Sequence, residues 1–197
     1  MSILRWCMAL LTVGVIVGGP AGYAAYRNAN FRSFRVVTPG VLYRSGQLSQ
    51  AGLERVLHDY GIRTVITLRD PAVSGKEPDW GEEEFCRQRD LRYVRIAPQR
   101  WWSPDDSPPP ADAGVRTFLK IMDDPANYPV LIHCFAGVHR TGAYVAVYRM
   151  EYAGWSNADA LDELRAGGYR NLDVEPDVLG YLSNYRPRRM APATQMP

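Results

Sequence analysis

Cysteine is scarce in this chain, and its few cysteines follow no pairing pattern. The three residues, Cys7, Cys86 and Cys134, include no Cys-x-x-Cys pair. The sequence therefore indicates neither a disulfide framework nor a zinc ribbon, and it predicts no metal and no other cofactor. A single cysteine beside histidines, as at Cys134, is instead typical of a reactive thiol.

The chain also lacks a large excess of positive or negative charge. The formal net charge is +2, and the only basic cluster is "RPRR" at residues 186–189. Such a balance does not indicate a nucleic-acid partner. Because 46% of the 197 residues are hydrophobic and 22% are charged, the chain can bury a sizeable core. Its length suggests one ordinary domain with a short appendage.

One long stretch lacks charge altogether. "WCMALLTVGVIVGGPAGYAAY", from Trp6 to Tyr26, is long enough to cross a bilayer as a helix. A cleaved signal peptide is the rival interpretation, because the small residues of "AGYAAY" suit a cleavage site. The sequence thus predicts a transmembrane or signal helix over residues 1–27 and a linker over 28–37. The predicted location is a membrane, with the side on which the following domain lies left open, or the periplasm or exterior after cleavage.

Strand and helix patterns alternate after this segment. "VLYRSG", "TVITL", "RYVRI" and "PVLIHC" are typical of strands, and amphipathic or capped helical stretches lie between and after them. Alternation of this kind predicts a single three-layer α/β domain over residues 38–186, with a central, mostly parallel sheet flanked by helices. Residues 187–197 form a C-terminal tail.

The stretch "HCFAGVHRTG" lies where the last of these strands turns into a helix. Backbone N–H groups at such a junction bind anions, and the same positive field lowers the pKa of a thiol. Cys134 would then be a thiolate, and the planar guanidinium of Arg140 can hold two phosphate oxygens. The hydroxyl of Thr141 can donate to the sulfur. One loop would therefore supply a nucleophile and the charge stabilisation that phosphoryl transfer needs.

The same stretch resembles the His-Cys-x5-Arg-Ser/Thr-Gly signature of the protein tyrosine phosphatase superfamily. "LYRSGQL", "GIRTVITLR" and "GWSNADALDELRAGGYR" are similar to segments of its bacterial and atypical dual-specificity members. The resemblance implies a dual-specificity phosphatase-like fold, with Cys134 as nucleophile, Thr141 assisting the second step and His133 orienting the loop. It also implies a set of phosphate-binding residues: Phe135, Ala136, Gly137, Val138, His139 and Arg140.

The family also uses a general acid on an upstream loop. The proline-rich "SPDDSPPP" is the place for it here, with Asp106 slightly preferred over Asp105. The alternative is that both are ordinary loop aspartates, which turn chemistry favours beside proline. Trp101 and Trp102 would either line the substrate site or pack the loop against the body of the domain.

The resemblance implies a cysteine-dependent phosphatase that hydrolyses phosphate monoesters through a phosphocysteine. The expected partner is a phosphorylated protein, carrying phosphotyrosine and also phosphoserine or phosphothreonine, or a small phosphomonoester. Two alternatives stay open: an inositol phosphate phosphatase of the same superfamily, and a non-catalytic phosphate-binding protein. Cys86 is expected to pack in a helix, with a disulfide to Cys134 as the alternative.

Overall fold

The computed structural model describes residue 8 and residues 11–70, 79–105 and 107–188. The strands are β1 (Arg35–Thr38), β2 (Leu42–Ser45), β3 (Thr64–Thr67), β4 (Arg92–Arg95) and β5 (Val130–His133). The helices are α1 (Gly19–Asn30), α2 (Gln50–Tyr60), α3 (Trp80–Arg87), α4 (Ala111–Met122), α5 (His139–Tyr152), α6 (Asn157–Ala166) and α7 (Pro176–Ser183). A π-helical stretch, Gly14–Gly18, precedes α1, and short 3₁₀ turns occur at Pro125–Asn127 and Leu172–Val174.

All five strands belong to one sheet, in the order β1-β2-β5-β3-β4. β1 is antiparallel to β2, and the other three pairings are parallel. The predicted single α/β domain with a mostly parallel sheet is therefore confirmed. Because β5 lies in the centre, the segment that follows it leaves the sheet between the ends of β2 and β3.

The sheet is covered by helices on both faces. Residues of one strand alternate between the two sides, as the pleat requires: Leu131 packs with α2 and α3, while Val130 and Ile132 pack with the later helices. The larger core includes Phe118, which is fully buried. Burial of each such side chain contributes about 1.5–3 kcal/mol, so the two apolar layers stabilise the strand that carries the signature segment.

Helix ends follow the local signals in the sequence. Ser49 caps α2 by accepting from the amide of Gly52 at 3.0 Å, and Gly61 ends that helix with a φ of 61°. Ser156 caps α6 by accepting from the amide of Asp159 at 3.1 Å. A serine at the N-cap and a left-handed glycine after the last turn satisfy backbone groups that the helix leaves unpaired.

The stretch assigned to a linker contains β1. Its residues reach the sheet because two aromatic side chains anchor the preceding turn: Phe34 stacks on Tyr43 of β2, with ring centroids 6.1 Å apart, and lies 5.0 Å from Tyr60 of α2. The alternation in "RVVT" is too short to predict a strand from sequence alone. The antiparallel edge thus comes from tertiary packing.

The predicted N-terminal membrane anchor is wrong for the residues that the structure describes. None of their helices is both long enough and apolar enough to cross a bilayer. Within the described part of the apolar stretch, Gly14–Gly18 is π-helical and α1 follows it directly. The same finding contradicts the predicted membrane partner and the location that was predicted from this segment. Residues 1–7, 9–10 and 189–197 lie outside the described part.

Candidate active site

The signature loop, residues 134–140, begins where β5 ends. β5 pairs in parallel with β2 and with β3, so the carboxyl ends of three strands meet beneath the loop. Cys134 is the first residue after the strand, and α5 begins at His139. This is the predicted strand–loop–helix junction, with the N-terminus of a long helix directed at the loop.

Glycine lets the loop lie directly against the end of β2. Gly137 has a φ of 74°, a conformation that residues with a Cβ rarely adopt. A Cβ at this position would lie 2.4 Å from the backbone nitrogen of Gly46. On the other side of the contact, the amide of Gln47 donates to the carbonyl of Phe135 at 3.0 Å. Backbone packs on backbone here, which fixes the path of the loop.

Cys134 is a buried thiol whose surroundings favour the thiolate. Its Sγ accepts from the amide of Gly137 at 3.2 Å. Burial alone would raise the pKa of Cys134, but the Thr141 hydroxyl and the amides of Thr141, Gly137 and Val138 outweigh it and lower that pKa. The Thr141 hydroxyl is buried and has no other hydrogen-bond partner among the described residues, so it is free to turn toward the sulfur.

Arg140 lies at the rim of the loop. Its Nη1 donates to the carbonyl of Leu68 at 3.2 Å, and its Nη2 lies 3.1 Å from Oδ2 of Asp70. The Arg140 and Asp70 side chains are 43% and 61% exposed, and an ion pair so exposed contributes at most about 1 kcal/mol. An incoming phosphate dianion can therefore replace Asp70 at little cost.

The remaining loop side chains line the mouth of the site. Phe135 is exposed, and two guanidinium groups lie over its ring, that of Arg32 at 4.2 Å and that of Arg69 at 5.3 Å from the centroid. His139 packs on Tyr169 with ring centroids 4.4 Å apart. Cationic and aromatic groups thus surround the loop on two sides.

A cavity of about 500 Å³ opens beside Arg140. Aromatic residues form part of its wall, among them Trp101, whose ring lies 5.7 Å from that of Tyr144 and 4.9 Å from that of Tyr181. Trp101 therefore lines the cavity and also packs its loop against the rest of the domain, so the two positions predicted for it are compatible. Trp102 is 55% exposed and lines a neighbouring cavity.

His133 belongs to a buried network of charges behind the loop. Its Nε2 lies 2.6 Å from Oε1 of Glu82. Burial would lower the pKa of His133, but the carboxylate of Glu82 outweighs burial and raises it. Glu82 also accepts from Gln47 at 2.7 Å and from Tyr93 at 3.2 Å. The carboxylate of Glu82 thereby fixes the orientation of the ring and favours its charged form.

Asp79 completes this network. Its carboxylate accepts from Thr67 at 2.5 Å and from Tyr93 at 2.9 Å, and it lies 2.8 Å from Nη2 of Arg95. Asp79, Glu82 and His133 have ligand atoms close enough together to hold a metal ion. Donor groups already occupy both carboxylates, and Arg95 and the imidazolium balance their charge, so the residues fit a hydrogen-bonded network better than a cation site.

The two predicted acids lie in the segment after β4. Asp105 is exposed, and its Oδ1 accepts from Ser103 at 2.7 Å and from Ser107 at 2.5 Å. The hydroxyls of Ser107 and then Ser103 lower its pKa, which opposes a proton-donating role. Asp105 lines the cavity of Trp102 rather than that of Arg140. Asp106 lies outside the described residues.

Cys86 does not approach the signature loop. It packs in the core on one face of the sheet, while Cys134 packs in the core on the other. Burial, followed by the charge of Glu82, raises the pKa of Cys86 to about 12. The interpretation as a packing residue is confirmed, and a disulfide between the two cysteines has no geometric support.

Several site residues are not evident from the signature alone. Asp70 contacts Arg140, and Glu82 contacts His133, only because the chain folds back. Asp79 joins the same network through Tyr93, and no local sequence pattern predicts these contacts. Arg44 is different, since "LYRSG" places an arginine at the end of a strand on the active-site edge, which is a usable signal. The structure buries Arg44 beneath the loop, where its Nη2 donates to the carbonyl of Gly137 at 2.8 Å.

Comparisons with known proteins agree with this geometry. A family model described as "PTP-NADK: DSP-PTPase phosphatase fused to NAD+ Kinase" matches residues 36–175. The dual specificity protein phosphatase TpbA of Pseudomonas aeruginosa is 28% identical over 192 residues, which cover 91% of this chain and 79% of TpbA. The crystal structure of TpbA gives a TM-score of 0.59 at 26% identity, over 78% of this chain and 85% of that one. TpbA has also been solved in complex with pTyr.

A second solved structure shares the fold. The core catalytic domain of the PP-IP phosphatase SIW14 from S. cerevisiae, crystallised with citrate, gives a TM-score of 0.60 at 21% identity. The superposition covers 78% of this chain and 85% of that one.

Proposed function

Because the chain belongs to the dual-specificity phosphatase (DSP-PTPase) family of the protein tyrosine phosphatase superfamily, and is thus a phosphoric monoester hydrolase, we propose that it acts through a phosphocysteine on Cys134. The observation that carries this proposal is the buried Sγ, which accepts an amide hydrogen bond and has a lowered pKa. A thiolate surrounded by N–H donors is suited to attack phosphorus, because the same donors hold the three phosphoryl oxygens.

In the first step, the thiolate of Cys134 attacks phosphorus and the bond from phosphorus to the leaving oxygen breaks. The amides of the loop from Phe135 to His139 bind the phosphoryl oxygens, and Arg140 exchanges its Asp70 contact for two of them. The general acid gives its proton to the leaving oxygen, so the alcohol departs neutral. Asp106 is the proposed acid, with Asp105 as the alternative, since the serine hydroxyls around Asp105 favour its ionised form.

In the second step, water attacks the phosphocysteine and the sulfur–phosphorus bond breaks. The carboxylate left by the first step takes a proton from the water. The Thr141 hydroxyl donates to the departing sulfur, which leaves as the stabilised thiolate. Inorganic phosphate is released, and the Cys134 thiolate and the protonated acid are regenerated.

The proposed substrate is a phosphorylated tyrosine side chain, with phosphoserine and phosphothreonine as further substrates. The aromatic wall at Trp101 and the pair of His139 and Tyr169 suit a planar leaving group, and the relative TpbA binds pTyr. An inositol phosphate is the second candidate, favoured by the guanidinium groups of Arg32 and Arg69 at the mouth of the site.

The test is the Cys134→Ser variant assayed with p-nitrophenyl phosphate and chelator present. Hydrolysis should fall to background, while binding of inorganic phosphate persists. The matched control is Cys86→Ser, which removes the other described thiol and should retain native turnover. Full activity of Cys134→Ser would refute the mechanism, and a native chain that binds phosphate without turnover would indicate a non-catalytic protein. A panel of phosphotyrosine, phosphoserine, phosphothreonine and inositol phosphates then separates the substrates.

A further inference from the structure

Arg44 lies at the carboxyl end of β2, with its guanidinium buried directly beneath the signature loop. The residue is 5% exposed, and Nη2 donates to the carbonyls of Gly137 at 2.8 Å and Val138 at 3.5 Å. The helix that follows packs against it: a Cβ on Gly142 would lie in ordinary contact with Nη2, at 3.5 Å. A charged side chain is thus enclosed between strand, loop and helix.

The contact decides which way a peptide group of the loop points. In a trans peptide, the carbonyl of one residue and the N–H of the next point in opposite directions. Holding the Gly137 carbonyl toward Arg44 therefore turns the Val138 N–H toward Cys134, where that amide helps to lower the pKa of the thiol. The peptide group after Phe135 is fixed in the same way, since its carbonyl accepts from the amide of Gln47 at 3.0 Å.

We propose that Arg44 is a positioning residue that keeps the peptide group between Gly137 and Val138 with its N–H directed at the phosphoryl group. The role rests on the function proposed above. Arg44 does not touch the substrate, and it acts through the backbone of the loop. The end of β2 thereby contributes to the anion site from behind: Gln47 orients one peptide group and Arg44 orients the other.

Arg44 keeps its charge while it does this. Burial, and next the nearby charge of Arg35, lower the pKa of Arg44 to about 10, so the guanidinium remains protonated at neutral pH. The charges of Glu163 and of the Cys134 thiolate act in the opposite direction, and Arg149 acts in the same direction as Arg35. A hydrogen bond from a charged donor is stronger than one between neutral groups, which suits the restraint of a loop that must not relax between turnovers.

The shape of the group matters as well as its charge. A guanidinium is planar and rigid, so its position fixes the direction of the bond to the carbonyl. The Nε of Arg44 has no hydrogen-bond partner among the described residues, and Nη2 donates to two loop carbonyls. A lysine would retain the charge, but its flexible ammonium would not define the orientation of the peptide group.

The experiment compares Arg44→Met and Arg44→Lys in the full chain. The control is Arg92→Met, which removes a guanidinium that bonds Oδ1 of Asn127 at the start of β4, the opposite end of the sheet from the loop. Circular dichroism establishes folding. The pH dependence of iodoacetamide alkylation measures the thiol pKa of Cys134, and equilibrium titration with vanadate measures the anion affinity.

Arg44→Met should weaken vanadate binding about tenfold or more, as expected for loss of a bond from a charged donor, and should raise the thiol pKa by about one unit. Arg44→Lys should raise the thiol pKa less than Arg44→Met does, because it retains the charge, and should still bind vanadate several-fold more weakly. Arg92→Met should leave both quantities unchanged. Native vanadate affinity in a folded Arg44→Lys would overturn the proposal, and this variant decides if Arg44→Met does not fold. If the native chain itself fails to bind vanadate, the proposed function fails instead.

Discussion

Replacement of Glu82 by glutamine tests whether the buried network behind the signature loop depends on charge. The change keeps the size of the side chain and removes its negative charge. In the native chain, Oε1 of Glu82 lies 2.6 Å from Nε2 of His133, and the two side chains are 6% and 1% exposed. Without the carboxylate, the imidazolium would be left in a desolvated site beside Asp79 alone, whose carboxylate is already shared with Arg95 and Thr67.

The expected loss of stability is large for a single substitution. Removal of one partner of a buried ion pair costs about 3–5 kcal/mol, because the remaining charge stays desolvated. For a chain of this size, each kcal/mol lowers the melting temperature by about 2–4 °C. Glu82→Gln should therefore melt at least ~6 °C below the native chain near pH 6.

The loss should depend on pH with a defined sign. The pKa of His133 is raised in the folded state, so the stability from its charged form is fully present below the unfolded value of about 6.5. That contribution is lost as the pH rises through the raised folded pKa. The difference between native and Glu82→Gln should therefore be greatest near pH 6 and should shrink above that raised pKa.

Urea unfolding followed by circular dichroism at several values between pH 6 and pH 9 measures this difference. The control is Glu83→Gln on the same helix, which removes an acid that is 47% exposed and 3.2 Å from Arg95. An exposed ion pair contributes at most about 1 kcal/mol, so this variant should stay near native at every pH. A deficit in Glu82→Gln below about 1 kcal/mol, or one of equal size at both ends of the range, would refute the reasoning.

Three further outcomes are expected. Gly137→Ala should abolish turnover, because its Cβ would lie 2.4 Å from the backbone nitrogen of Gly46. Gly154→Ala also has a positive φ, of 70°, but its Cβ would meet no atom, so it should lose only about 1–2 kcal/mol of stability; activity assays and urea unfolding distinguish the two variants. Iodoacetamide at pH 7 should label Cys134 but not Cys86, because burial raises the pKa of Cys86 to about 12. Peptide mass mapping measures the labelling, and equal labelling of the two cysteines would contradict the prediction. Asp105→Asn should keep native turnover of alkyl phosphates in steady-state kinetics if the acid is its neighbour, and a loss of about a hundredfold would assign the acid to Asp105 itself.

The sequence predicts the parts of the molecule that local patterns encode. Ser49 and Ser156 cap helices where the capping residues occur, and Gly61 ends a helix in the left-handed conformation. The junction at Cys134 follows from an apolar strand, glycines and a helix. In each case, a few consecutive residues carry the physical requirement, so the prediction needs no knowledge of distant contacts.

Long-range contacts account for what the sequence does not predict. β1 becomes a strand because Phe34 packs on Tyr43, and Glu82 reaches His133 because α3 packs beneath the sheet. The membrane prediction failed for a different reason. It rested on the absence of charge over residues 6–26, whereas no helix among the described residues combines the length and the apolar character that a membrane span needs.

Because β4 lies at the edge of the sheet, the segment after it, which carries the proposed acid, should open on a faster timescale than the signature loop after β5. β4 pairs only with β3, and the segment after it is tied to α4 by the bond from the amide of Ala111 to the carbonyl of Arg100. Amides in residues 99–105 should exchange with deuterium through brief local opening. Cys134 and Gly137 lie in the loop after the central strand β5, where the amide of Gly137 donates to Sγ of Cys134 and its backbone packs against that of Gly46, so their amides should exchange more slowly. For the proposed mechanism, the proposed nucleophile would then stay in place while motion of the segment after β4 limits the supply of the proton.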